Sequence, residues 1–141
     1  MPFTPASNLA LSVHHLAVIV RDLARAEAFY VDILGLGVLQ RFYDEANQQR
    51  SLWVALGAGA FLAIERASSD GHRSDTDVGW HCVALTIPAD QRTSWRQHLR
   101  VRGVSVFRES AYTLYIRDPE NNIVALSHYP IAYCDGSSSS P

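Results

Sequence analysis

The feature that most constrains this chain is that one pattern of apolar runs occurs twice. "HLAVIV" at 15–20 lines up with "HCVALT" at 81–86, and each run is followed by a helix-like segment, a glycine and three short strand-like runs. Self-similarity at a fixed offset marks positions that are structurally equivalent. In the first half, Ser12 to Val20 reads as a strand. Asp22 is placed to cap a helix whose apolar residues Leu23, Ala26, Tyr30 and Ile33 recur at helical spacing, and Gly35 ends it. Strands follow at Val38 to Tyr43, Leu52 to Leu56 and Phe61 to Arg66, parted by the polar turn "DEANQQR" and the glycine turn "GAGA".

The second half repeats the order. Trp80 to Ile87 is a strand, Asp90 is placed to cap a helix to about Arg102, and Gly103 ends that helix. Val104 to Arg108, Tyr112 to Arg117 and Ile123 to Tyr129 complete it, the last two joined by "DPENN". The expected fold class is therefore α+β: two βαβββ modules, 12–66 and 80–129, in a single domain over 12–129. A length of 141 residues suits one core. The ends, 1–11 and 134–141, are rich in small and polar residues and are expected to be loose.

Composition narrows the partners. With 48% hydrophobic and 18% charged residues and no long apolar run, the chain is not expected to enter a membrane. A formal charge of -2 offers no basic surface for nucleic acid, which leaves small molecules as the expected partners. Cys82 and Cys134 make neither a disulfide framework nor a CxxC pair, and the N-terminus lacks a secretory signal; a cytoplasmic location is expected.

Side chains alternate along a strand, so His14 and His15 point to opposite faces. His15 shares its face with Ala17 and Ile19, and His81 shares its face with Val83, Leu85 and Ile87. A single histidine near a strand end is ordinarily a hydrogen-bonded structural residue. Two at equivalent repeat positions are suited to holding a divalent cation, with a carboxylate completing the charge and a position open to substrate.

The segments "HHLAVIVRDLARAEAFYVDILGLGV", "GWHCVALTI" and "LYIRDPENNIVAL" resemble the vicinal oxygen chelate superfamily. This group holds glyoxalase I, extradiol dioxygenases, fosfomycin-resistance enzymes, methylmalonyl-CoA epimerase and bleomycin-resistance proteins. The resemblance covers about 12–129 and implies two βαβββ modules curled into a half-open barrel around the site. In its metal-using members the first and fifth strands each supply a histidine, and the last strand a carboxylate; glyoxalase-like members take another carboxylate from the fourth. The seven-residue step from that first histidine to the aspartate before the helix matches His15 to Asp22, selecting His15 over His14. His81 matches the fifth-strand ligand. The resemblance also implies a homodimer and a divalent ion, with zinc, nickel, manganese, iron or no metal all left open.

The pattern breaks near the end. The family's "DPxGNxxEL" places a glutamate seven residues after its aspartate, and from Asp118 that position is Ala125; Asn121 stands for the glycine. Alanine cannot bind a cation. Glu65 in "FLAIERA" is the one carboxylate offered by the fourth strand. Pairing "FLAIE" with "IVALS" makes Ala63 the counterpart of Ala125 and Glu65 the counterpart of Ser127, one pleat further along. Glu65 is thus read as a metal ligand and base, as a structural charge paired with Arg41, Arg50 or Arg117, or as a carboxylate in contact with solvent at the strand end. Tyr115 stands where extradiol dioxygenases keep an active-site tyrosine, or is an ordinary strand aromatic.

Three functions follow as expectations. The first is a metal-dependent lyase or isomerase for a small oxygenated substrate, built on His15, Glu65 and His81, with Glu65 and Tyr115 as catalytic groups. The second is a ring-cleaving dioxygenase, since two histidines and a carboxylate suit ferrous iron. The third is a metal-free binding protein of the bleomycin-resistance type, its cleft lined by Phe42, Tyr43, Trp53 and Tyr115.

Overall fold

The structure is a computed structural model that describes residues 2 and 11–130. The expectations for 134–141, for Cys134 and for all of 1–11 but residues 2 and 11 lie outside the described residues. The chain divides into two compact units, Met1–His72 and Arg73–Pro141, and each contains one module.

In the first unit the elements run β1 (His15–Val20), α1 (Leu23–Glu27), a π-helical turn (Ala28–Ile33), β2 (Val38–Tyr43), β3 (Gln49–Ala55) and β4 (Phe61–Arg66). Asp22 caps α1 as expected, its carboxylate accepting from the Arg25 N–H at 3.1 Å. Gly35 follows the helical segment at φ 78°, a conformation that costs residues with a Cβ. The strand β3 begins three residues earlier than the apolar pattern implies. Asp44 Oδ1 accepts from the N–H groups of Ala46 and Gln48, closing a tight turn so that pairing resumes at Gln49.

The sheet order is β1-β4-β3-β2, with β1 parallel to β4 and the other pairs antiparallel. Leu52, Val54, Leu62 and Ile64 alternate onto one face and are buried there with Leu23, Ala26, Phe29 and Tyr30 of the helical segment. Each buried leucine, valine, isoleucine or phenylalanine among them contributes about 1.5–3 kcal/mol through removal from water. A two-pronged ion pair from Arg41 on β2 to Glu27, at 2.8 and 2.6 Å, ties the helical segment to the far strand.

The second unit has β5 (Cys82–Thr86), α2 (Arg92–Val101), β6 (Arg108–Glu109), β7 (Thr113–Arg117) and β8 (Ile123–Ser127). Its sheet order, β5-β8-β7-β6, repeats that of the first unit, again with a single parallel pair. The α+β class and the two βαβββ modules are therefore present, each module as an open four-stranded sheet. Three local expectations are corrected. Asp90 does not cap the helix: Pro88 leads into a 3-10 turn (Ala89–Gln91) and α2 starts after it, with no side-chain cap. Trp80 and His81 precede β5 instead of lying in it. Of the run 104–108 only Arg108 joins a strand, because pairing to β7 is limited to Arg108 and Glu109. Gly103, at φ 73°, ends α2 as Gly35 ends the first helical segment. Among the described residues no helix is long and apolar enough to cross a membrane.

Candidate functional site

Strand alternation gives each sheet a core face and a second face. On the second face of the first unit the register sets out three rows. His15, Phe61 and Ala55 form one; Ala17, Ala63, Trp53 and Gln40 form the next; Ile19, Glu65, Ser51 and Phe42 form the third. Rings run across these rows. His15 stacks on Phe61 (centroids 4.8 Å apart, planes 9° apart), Phe61 stacks on Trp53 (4.4 Å, 23°), and Trp53 meets Phe42 at 4.8 Å. His14, expected on the opposite face, precedes β1 and so escapes its alternation: its Nδ1 lies 2.9 Å from His15 Nδ1 and its ring 5.6 Å from Phe61. Within this run the indole Nε1 of Trp53 is buried with no protein acceptor in reach, the single such side-chain nitrogen or oxygen among the described residues.

Glu65 lies on the same second face as His15 but four residues along, about 13 Å of strand. Its Oε1 accepts from Ser51 Oγ at 3.0 Å. Arg41 and Arg117 are engaged by Glu27 and Asp75, and Arg50 lies over the Phe42 ring at 5.4 Å. The position diagonal to His15, where a ligand carboxylate would stand closer, is Ala63, buried at 4% exposure.

The second unit repeats the grid. Cys82, Ile123 and Arg117 form its first row; Ala84, Ala125, Tyr115 and Arg108 the second; Thr86, Ser127 and Thr113 the third. Ala63 and Ala125 hold equivalent places, as the pairing of "FLAIE" with "IVALS" implies. Glu65 answers to Ser127, and each is bonded to a hydroxyl at the same cross-strand position: Ser51 for Glu65, Thr113 for Ser127 at 2.8 Å. Trp53 answers to Tyr115, which stands directly across from Ala125 and carries the Arg108 guanidinium 4.1 Å above its ring.

The histidines do not share this correspondence. Counted from the sheet register, His15 answers to Cys82, an exposed free thiol. His81 lies one residue earlier, in step with Val83, Leu85 and Ile87 on the core side, whereas His15 is in step with the exposed Ile19. One signal in the sequence points to this offset. The apolar stripe of β1 starts one residue after His15, and that of β5 starts two residues after His81.

The backbone around His81 is held by charge. Arg73 donates to the His81 carbonyl at 3.1 Å, to the Asn121 carbonyl at 3.1 Å and to Asp75 at 2.7 Å, and Arg117 grips Asp75 with both terminal nitrogens at 2.9 and 2.7 Å. Hydrogen bonds from Arg117 and then Arg73 pull the Asp75 carboxyl down to about 2. Because the folded value is depressed, stability from this clasp is present above the ordinary carboxylate range and is lost as pH falls toward 2. Urea midpoints of the wild type and Asp75→Asn are expected to differ by a constant amount from neutral pH to about pH 5 and to converge below it. A difference that grows on acidification would show that Asp75 does not hold the clasp as an anion.

A divalent ion needs three or more donors within about 2.0–2.3 Å of one point. Among the described residues no three His, Cys, Asp or Glu side chains are grouped to hold one. Alanine fills both equivalent carboxylate places, and Oε1 of Glu65 accepts from Ser51. Those two places therefore supply no carboxylate to a divalent ion.

The sequence matches the family described as the Glyoxalase/Bleomycin resistance protein/Dioxygenase superfamily over residues 14–114. No curated protein matches it. Among solved structures, a glyoxalase/dioxygenase from Nostoc punctiforme aligns with TM-score 0.76 at 15% identity, over 93% of this chain and 99% of that one. The fosfomycin resistance protein FosX from Listeria monocytogenes aligns with TM-score 0.69 at 18% identity, over 87% and 94%. A variant of FosX crystallised with Mn(II) and 1S,2S-dihydroxypropylphosphonic acid aligns with TM-score 0.64 at 18% identity, over 84% and 90%.

Proposed function

The chain belongs to the Glyoxalase/Bleomycin resistance protein/Dioxygenase superfamily, and within it we propose a metal-free binding protein for a small aromatic or amphipathic molecule, of the bleomycin-resistance type. The observation that carries this reading is the alanine at both equivalent carboxylate places, Ala63 and Ala125. A face whose ligand positions hold methyl groups favours apolar contact over ion coordination. Rings on the same faces support it: His15, Phe61, Trp53 and Phe42 in one module, and Tyr115 in the other. Tyr115 acts here as a contact surface and Glu65 as the partner of Ser51. Tyr43 stands apart from this group, exposed beyond an irregularity in the pairing of β2.

Manganese bound to the FosX variant favours a second reading, in which His15, Glu65 and His81 hold a divalent ion for lyase, isomerase or dioxygenase chemistry. Calorimetric titration of the purified protein with Mn(II), Ni(II), Zn(II) and Fe(II), together with elemental analysis, separates the two. The binding reading expects no stoichiometric metal and no saturable heat. One ion per chain, lost in both His15→Ala and His81→Ala, overturns it.

A further inference from the structure

We propose that the Trp53 N–H is the polar contact by which the first module recognises its ligand, and that the ligand is a planar aromatic molecule bearing a hydrogen-bond acceptor. This rests on the binding reading and specifies the ligand class. Folded proteins leave few buried donors unpaired, because an unmet N–H costs about 1–3 kcal/mol. Trp53 Nε1 is buried and unmet. Its surroundings explain why. The ring packs between Phe61 and Phe42, and the residues level with it on β1 and β4 are Ala17 and Ala63, none of which carries a side-chain acceptor. Gln40, level with it on β2, directs its amide to the Arg41 carbonyl.

The ring run selects shape and the N–H selects chemistry. His15, Phe61 and Trp53 stand face to face across three strands, with Phe42 tilted against Trp53, so the run offers a row of ring edges over which a flat aromatic ligand packs edge-to-face. That contact alone has no polar preference. An acceptor placed against Nε1 gains a hydrogen bond while relieving a buried donor, and so discriminates between ligands of equal area.

Quinoline and naphthalene are nearly the same in shape, but only quinoline carries a ring-nitrogen acceptor. Wild type is expected to bind quinoline about fivefold more tightly than naphthalene, and Trp53→Phe is expected to bind the two about equally. In parallel, the Trp53 indole N–H resonance of the 15N-labelled wild type, identified by its loss in Trp53→Phe, is expected to move downfield with quinoline and not with naphthalene. The resonance is read in the unaltered protein, so the proposal stays testable if Trp53→Phe folds poorly. Equal binding of the two probes, a preference that survives Trp53→Phe, or an unmoved Trp53 resonance overturns the recognition role and leaves the binding reading standing. Failure of quinoline to bind overturns the ligand class, whereas stoichiometric metal uptake is what overturns the binding reading.

Discussion

Ala125→Glu is expected to destabilise the second module by about 3 kcal/mol or more, and no divalent metal is expected to recover the loss. The Ala125 methyl is 1% exposed and lies between Ala84 on one neighbouring strand and Tyr115 on the other. A glutamate there adds volume to a packed position and brings a carboxylate without a cation to meet it. Tyr115 is already covered by Arg108, and the other nearby arginine of that face, Arg117, is committed to Asp75. The pH dependence follows from the burial. A carboxyl kept from water titrates higher in the folded than in the unfolded chain, so the charge penalty is full above the raised folded value, shrinks as pH falls from there toward the unfolded value of about 4.3, and is gone below it. The volume penalty remains at every pH. Urea denaturation at pH 7 and pH 4, with and without Mn(II) or Zn(II), measures each part. The substitution also restores the glutamate expected from the family pattern. If a metal centre lies latent in this chain, a bound ion will raise the midpoint by mass action. A gain with metal that is absent in the wild type and lost on removing His15 would reinstate the coordination reading.

Much of the architecture is visible in the sequence because it depends on local chemistry and period. The doubled run of apolar strands, Asp22 before the first helix and Gly35 and Gly103 after the helices all state their roles within a few residues. The two equivalent alanines follow from pairing "FLAIE" with "IVALS", since both strands share one alternation with their neighbours. The histidine pair shows where such reasoning stops. Aligning His15 with His81 by residue type shifts the second strand by one, and a shift of one exchanges its two faces. What settles the register is the stripe that becomes buried: Leu16, Val18 and Val20 in β1 lie on the face opposite His15, whereas Val83, Leu85 and Ile87 are in step with His81. The unmet Trp53 N–H is less visible still. It arises from what the neighbouring strands place level with the indole, and no sequence window contains Ala17, Gln40, Trp53 and Ala63 together.

Asp118→Ala is expected to cost about 2–4 kcal/mol, through the turn that places Tyr115 across from Ala125. Asp118 is 5% exposed, at the point where β7 leaves its sheet. Its Oδ1 accepts from the backbone N–H of Glu120 at 2.9 Å and of Asn122 at 2.8 Å, and its Oδ2 accepts from Asn122 Nδ2 at 2.9 Å. These bonds hold a turn in which Asn121 adopts φ 70°, a left-handed conformation that asparagine tolerates better than most residues. Alanine leaves two backbone donors partly buried without that acceptor. Asparagine keeps one acceptor oxygen for both backbone groups but turns its amide toward the Asn122 amide, so Asp118→Asn is expected to cost less, about 1 kcal/mol. The wild-type order of stability should therefore be Asp118, then Asn, then Ala. Urea denaturation of the three proteins tests this, with an unchanged slope showing that the unfolded states are alike. The two arms of this hairpin carry the aromatic and the alanine that define the second face. Quinoline binding to the first module should consequently survive in any Asp118 variant that remains folded. A midpoint for Asp118→Ala within about 0.5 kcal/mol of wild type would mean that the backbone bonds of the turn suffice and that the carboxylate is not what sets the hairpin.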